Sequence, residues 1–290
     1  AQMTNEKPVF LVANRQGSGA DKLAISSTYQ GLPVIDGVTQ FLVGARCLLA
    51  YRDFQQRAVM KCDVTDQQKV DYWKRQLQDC DYVSESLASE LLRDFGIPMI
   101  QSLEVSSIDE LQTAVLNVGF PLVLKTAVQG IDHKTEVGGV ILNISDQRQL
   151  QDAYEDLLQR LGLAVTVAPM ADNNGVEMIL GISRDEQFGP TVVVGFGGIY
   201  AEILSDVAVM LPPFDSAEVK RVLKSLSMYP LLEGVRGGSP LDIDSFCDVA
   251  AKMSAIALAL SDSVVEIDIN PVRLGVKGCI GLDALVVLER

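Results

Sequence analysis

Lys125-Thr-Ala-Val-Gln-Gly130-Ile131-Asp132-His133-Lys134-Thr-Glu136-Val-Gly138-Gly139 is the stretch on which the reading of the chain turns. It leaves the apolar run Pro121 to Lys125, which reads as a strand, and enters Val140 to Ile144, which reads as another. A lysine at a strand end can hold its charge against a phosphate, and flanking glycines let backbone N–H groups approach the same anion. Composition alone fits a solvated hairpin loop equally well. The single histidine of the chain, His133, lies in this loop between the glycines. Imidazole is nucleophilic near neutral pH and can accept a phosphoryl group and pass it on, although a lone histidine also serves in cores and on surfaces.

Outward from the loop, strands and helices alternate. Glu85 to Phe95 reads as a helix closed by Gly96 and Pro98. A second helix opens at Ser107, where Ser107 and Glu110 form an S-x-x-E capping box, and stops at Gly119. Beyond Ile144 comes an amphipathic helix with Leu150, Ala153, Leu157 and Leu161, then apolar runs at Ala164 to Pro169, Val176 to Ile182 and Thr191 to Gly195. Helices near Ala217 to Leu226 and Phe246 to Leu260 precede strands at Val264 to Ile269 and Gly278 to Val287. The pattern predicts two sheet-and-helix layers in one unit, with both antiparallel and parallel pairing. Upstream, Pro8 to Ala13 and Leu32 to Ile35 read as strands, and Ser18 to Tyr29 and Gly37 to Phe54 as helices, the unit of a parallel sheet. Two strands cannot make a covered parallel sheet, so this segment is expected to be part of a larger domain. Between the two regions, Lys61 to Asp81 is polar with Trp73 as its main anchor, and is expected to be a linker bearing an exposed helix.

Two more clusters carry chemistry. In Glu266-Ile-Asp268-Ile-Asn270-Pro271 the alternation of a strand turns Asp268 and Asn270 to one side, and Asp283 follows on the expected partner strand. Hard oxygen ligands of this kind suit Mg²⁺ bound together with phosphates; solvated acids at a turn are the plain alternative. Gly195-Phe-Gly197-Gly198-Ile-Tyr-Ala-Glu202 follows an apolar strand but lacks the third glycine of the dinucleotide fingerprint, which weighs against a Rossmann NAD site.

With 290 residues, 48% hydrophobic and 21% charged, the chain is a globular protein with room for two or more compact units. Its net charge of -14 repels phosphodiester backbones, which excludes nucleic acid as a partner and confines nucleotide binding to a local pocket. No apolar run approaches the roughly 20 residues that cross a bilayer, and the first residues lack the layout of a signal peptide. A cytoplasmic protein without a membrane partner is expected. The five cysteines form no CxxC pair and read as reduced thiols.

The strings GIDHKTEVGGV, GVEMILGISRDEQFGP, GFGGIYAEIL, YPLLEGVRG and EIDINP occur in that order. Together they resemble the signature segments of the ATP-grasp domain of NDP-forming (ADP-forming) acyl-CoA synthetases, relatives of succinyl-CoA synthetase, from about Ser84 to Val287. Residues Pro8 to Phe54 resemble the closing part of the CoA-ligase domain that precedes this module. The resemblance implies an α/β architecture: an ATP-grasp fold of two α/β subdomains over 84–290, preceded by a partial flavodoxin-like parallel α/β unit over 1–60 and a linker over 61–83. It implies that Lys125 contacts the nucleotide phosphates, with Ile131 and Asp132 in the same loop, Glu177 near the ribose, and Gly197 and Gly198 in a loop near the phosphates. Asn270 and Asp283 would bind Mg²⁺, with Asp268 in the neighbouring acidic position. His133 would be the catalytic phosphoryl carrier between a histidine of the CoA-ligase part and ADP. Implied cofactors are ATP or ADP and Mg²⁺, with CoA in the complete enzyme; implied partners are a carboxylic acid and CoA, reached through upstream domains, and a homo-oligomer is compatible. The segment Val167-Ala168-Pro169-Met170 lacks the Gln or Glu often found before the hinge methionine, which leaves adenine recognition to backbone groups. A different implied role is a non-catalytic ligand-sensing module, since similar regions are fused to protein acetyltransferases.

Overall fold

The computed structural model describes residues 10–14, 17, 21–56, 66–131, 134–172, 174–198, 205–235 and 237–289, and the chain divides into two units, 1–59 and 60–290. In the first, β1 (Leu11–Val12) runs parallel to β2 (Val34–Ile35), with Leu11 beside Val34. Helix α1 (Lys22–Tyr29) starts at Asp21, whose carboxylate accepts the Leu23 and Ala24 N–H groups, and α2 (Val38–Gln55) follows β2. Neither helix has a buried residue, although α2 carries Leu42, Val43, Leu48, Leu49, Tyr51 and Phe54.

The second unit begins with α3 (Gln67–Gln78), and here the structure differs from the expected exposed helix in a linker. Val70, Trp73 and Leu77, spaced three and four apart, form one helical stripe. All three are buried in the main core, Trp73 at 1% exposure, and its indole N–H donates to Asp94 Oδ2 at 2.9 Å. The polar composition of this segment belongs to the opposite face. Helix α4 (Glu85–Asp94) follows, capped by Ser84 and closed by Gly96 at φ +78°.

A four-stranded sheet comes next, from β3 (Leu103–Val105), β4 (Leu122–Thr126), β5 (Val140–Ile144) and β6 (Val165–Pro169), in the order β3-β6-β4-β5 and antiparallel throughout. Helices α5 (Ile108–Val118) and α6 (Gln147–Arg160) bring Leu111, Ala114, Leu150 and Leu157 into one core with Leu122, Leu124 and Val167. The capping box forms with a variation: Ser107 Oγ accepts the Glu110 N–H at 3.3 Å, while the Glu110 carboxylate accepts from Ser106 N–H at 2.8 Å.

The larger sheet contains β7 (Val176–Asp185), β8 (Gly189–Phe196), β9 (Val207–Met210), β10 (Val264–Gly275), β11 (Gly278–Gly281) and β12 (Ala284–Leu288). Its order is β11-β10-β7-β8-β9, with β12 also on β10, and every pair is antiparallel. Parallel pairing in this unit is confined, among the described residues, to the bridge between Met99 and Gly281. Met178, Leu180, Val192, Val194, Ile267 and Ile269 turn one face into a core shared with α3, α4, α7 (Ser216–Leu223) and α8 (Ile243–Ala259). Glu177, Ile179, Val193 and Arg273 alternate with them and lie on the other face. Short β3 and β9, three and four residues long, had no clear sequence pattern. Among the described residues no helix is long and apolar enough to cross a membrane.

If α3 is core, Trp73→Ala removes a large buried side chain and should lower the unfolding free energy of the second unit by roughly 3–5 kcal/mol, read from urea denaturation followed by circular dichroism. A linker helix would show a change of about 0.5 kcal/mol or less.

Candidate functional site

Central strand β4 sends Leu122 and Leu124 into the smaller core, so alternation turns Lys125 to the opposite side. There the ammonium group donates to Glu85 Oε1 at 3.0 Å and to the Leu282 carbonyl at 2.7 Å, and it lies 3.1 Å from Asp283 Oδ2. Glu85 is in the first turn of α4, where a carboxylate is favoured by the helix dipole. Lys134 completes the group from the loop: its Nζ meets Glu85 Oε2 at 2.5 Å and Asp283 Oδ1 at 3.4 Å. Two lysines and two carboxylates thus alternate in a closed ring whose charges cancel. The Lys125 and Glu85 side chains are only 9% and 7% exposed. Burial works against the charge on Lys134, but Asp283 and Glu85 outweigh it and raise its pKa above the ordinary lysine value. Neither Glu85 nor Lys134 stood out in the sequence as a site residue; the only hint was the adjacency of Lys134 to His133.

The end of the loop is held at several points. Thr126 N–H donates to Gly139 O and Gly139 N–H to Lys134 O, both at 2.7 Å. The Arg160 guanidinium, paired with Asp156, donates to Val137 O at 3.1 Å and Gly138 O at 2.9 Å. A Cβ at position 139 would lie 2.7 Å from Thr126 Cγ2, so this crossing accepts only glycine. Ile131 is half-buried, with its N–H 3.3 Å from Val128 O. Asp132 and His133 lie outside the described residues, as does Glu202.

Glu177, Gly197 and Gly198 do come together. Gly197 N–H donates to Glu177 O at 2.7 Å, and at Gly198, with φ +61°, a Cβ would lie 2.4 Å from Glu177 Oε2. Across the β7–β10 ladder Arg273 pairs with Glu177, Nη2 to Oε1 at 2.8 Å, a partner that the sequence pattern did not reveal. On β10 the register against β7 slips between Ile269 and Val272, a bulge at the cis Asn270–Pro271 bond. Since Ile269 pairs with Ala284 and Leu282 N–H donates to Pro271 O, Asn270 stands across from Asp283 at this kink. Asp268 pairs with Leu285, two positions along the same face. Among the described residues no cluster of three or more His, Cys, Asp and Glu side chains could hold a metal. Asn270 and Asp283 are nevertheless hard oxygen donors, and both Asp283 oxygens already attract cationic groups, as a Mg²⁺ ligand would.

Glu85→Ala would leave the two ammonium groups, that of Lys125 buried, on one carboxylate. The loss of a buried pair should cost roughly 3–5 kcal/mol in urea unfolding. A change of only about 0.5 kcal/mol, as at an unremarkable surface site, would contradict the ring as described.

Comparison with known proteins places this geometry in a family. A profile described as an ATP-grasp domain matches residues 76–288. The beta subunit of ADP-forming acetate–CoA ligase I from Pyrococcus furiosus is 33% identical over 214 residues, 70% of this chain and 90% of that subunit. A trans-feruloyl-CoA synthase from an unknown prokaryotic organism is 35% identical over 217 residues, 72% of this chain but 31% of its own length. The chain therefore spans most of such beta subunits and less than a third of the longer relatives. Among solved structures, dinucleotide-forming acetyl-coenzyme A synthetase 1 of Ca. Korarchaeum cryptofilum, in complex with coenzyme A, Ca-AMPCP and HgCl⁺, matches with TM-score 0.68 and 30% identity, over 75% of this chain and 98% of that one. In its complex with coenzyme A and Mg-AMPPCP (TM-score 0.65, 29% identity, 77% of this chain and all of that one), the phosphohistidine segment points towards the nucleotide binding site. With a family profile spanning residues 76–288 and a beta subunit matched over nearly its whole length, the chain belongs to the ATP-grasp family, in the line of the ADP-forming acyl-CoA synthetases.

Proposed function

We propose that the chain is the nucleotide-binding and phosphoryl-transfer part of an ADP-forming acyl-CoA synthetase, which converts a carboxylic acid, CoA and ATP to acyl-CoA, ADP and phosphate. The observation that carries this reading is the meeting of the strand-end lysine, Lys125, with Asp283 at 3.1 Å. Three acceptors surround the three N–H bonds of Lys125, so a phosphate can be contacted only by exchange. Asp283 is the natural one to be given up. Together with Asn270, and with Asp268 nearby on the same face, it would hold Mg²⁺, which when bound supplies charge neutralisation at the transferring phosphate. Lys125 then turns an N–H bond to the phosphate while Glu85 and the Leu282 carbonyl keep it in place. Glu177, braced by Arg273 and backed by the Gly197–Gly198 turn, is the acid we assign to the ribose, and Ile131 and Asp132 are the residues we assign to the phosphates.

His133 attacks the γ-phosphorus: a nitrogen–phosphorus bond forms, the bond to the bridging oxygen breaks, and ADP leaves. Passed to a histidine of the CoA-ligase part and on to the acid, the group yields an acyl phosphate, from which CoA displaces phosphate. The first unit supports the presence of that part. Its parallel strand pair and a helix α2 with exposed apolar residues spread around it and not one buried suit a surface that further flavodoxin-like elements cover. We place the join between α2 and α3, because α3 belongs to the ATP-grasp core. The free thiols Cys47, Cys80, Cys247 and Cys279 suit a reducing cytoplasm, and burial pushes Cys247 up to about 12.

Calorimetry should show magnesium-dependent binding of ATP or ADP, weakened roughly 10–100-fold in Lys125→Ala and Asp283→Ala by loss of charged contacts. His133→Ala should bind nucleotide like the wild type but take no label from γ-labelled ATP, and the wild-type label should be acid-labile and alkali-stable. A folded chain that binds no nucleotide at millimolar concentration would sink the reading. Binding without label at His133 would favour the ligand-sensing module.

A further inference from the structure

We propose that Lys134 is a positioning residue that fastens the end of the histidine loop to the nucleotide side of the site through the carboxylates of Glu85 and Asp283. The proposal rests on the phosphoryl-transfer reading and deepens it. Lys125 and Lys134 touch the same two acids, yet they arrive on different supports. Lys125 is on a central strand, paired with Thr166 on one side and Val140 on the other, and needs no ion pair to fix its backbone. Lys134 is on a loop, and its ion pairs bind segment 134–139 to the first turn of α4 and to the β11–β12 connection.

The remaining anchors of that segment point elsewhere. Arg160 ties Val137 and Gly138 to α6, and Gly139 is tied to the end of β4, so both belong to the smaller sheet and its helices. Lys134 joins the segment to the elements of the larger core. Consecutive Cα atoms are about 3.8 Å apart, so whatever fixes Lys134 limits the reach of the histidine bonded to it. The two anchors also differ in kind. Asp283 belongs to the proposed metal set, whereas Glu85 is buried outside it, so nucleotide entry weakens one tether and spares the other. A buried ion pair is poor evidence of net stabilisation, and its better attested use is to specify one arrangement. Fixing a nucleophile in line with its target is such a use, because a misplacement of about 1 Å can cost 10²-fold in rate.

The test compares the intact chain with Lys134→Gln and Lys134→Arg, using γ-labelled Mg-ATP at saturating concentration and hydrogen–deuterium exchange without nucleotide. In Lys134→Gln the initial rate of label at His133 should fall roughly 10–100-fold. Amides of 134–139 should exchange roughly tenfold faster, a local opening that spares the helices of the main core. Lys134→Arg, which keeps the charge, should recover most of both. Faster exchange with an unchanged labelling rate would overturn the proposal, since Lys134 would then be a structural fastening only. Slower labelling with unchanged exchange would overturn it too, because the loop would not depend on the tether. A wild-type chain that binds Mg-ATP but takes no label would fail the underlying reading itself, and the proposal with it.

Discussion

A ring of four charges, Glu85 and Lys125 buried and Lys134 and Asp283 partly buried, is the constraint on which the second unit depends. The smaller sheet and the larger sheet each have a separate apolar core, and hydrophobic burial is not directional. Apolar contact alone would let the two slide against each other. Charges removed from water are costly unless each finds its partner in good geometry, so the ring is satisfied in one relative placement of β4, the histidine loop, α4 and the β11–β12 connection. The same ring brings a strand-end lysine and a hairpin carboxylate together, and this is the place we propose for a nucleotide phosphate and its metal.

Strand β10 supplies the other half of the site. Its twelve residues pair with β7, β11 and β12, and the bulge at Asn270–Pro271 lets one strand serve two purposes. Before and after the bulge, Ile267, Ile269, Val272 and Leu274 fill the core. On the opposite face Arg273 reaches Glu177, and Glu177 in turn closes on Gly198, where a Cβ would displace its carboxylate and the residue bearing it would have to adopt φ +61°. Core packing therefore sets the register that aligns the polar face, and substitution of a core residue on β10 would be felt in nucleotide binding through a shift of Asn270 and Arg273.

Sequence patterning announced most of the strands and helices because their signals are local: short apolar runs at β7 and β8, alternation in β10, capping residues at α5, stop glycines at Gly96 and Gly119. Lys125 at a strand end and the glycines at 197 and 198 were visible in the same local way, whereas Glu177 was implied only by the resemblance to the family. What escaped is long-range. The mean polarity of α3 hid its Val70, Trp73 and Leu77 stripe, and only tertiary packing shows the stripe as core. Glu85 and Lys134 are 49 residues apart and Glu177 and Arg273 are 96 apart, and no local pattern announces an ion pair across such distances. Parallel pairing was expected in the second unit from alternating elements, but alternation does not fix strand direction, and each named strand pair there is antiparallel.

The most direct measurement is a crystal structure of the chain with Mg²⁺ and a non-hydrolysable ATP analogue. It should show the metal on Asp283 and Asn270, a phosphate oxygen within hydrogen-bond distance of Lys125 Nζ, and Lys125 still held by Glu85 but parted from Asp283. A nucleotide bound elsewhere, with the four-charge ring intact and no metal at Asp283, would contradict the site and the function read from it.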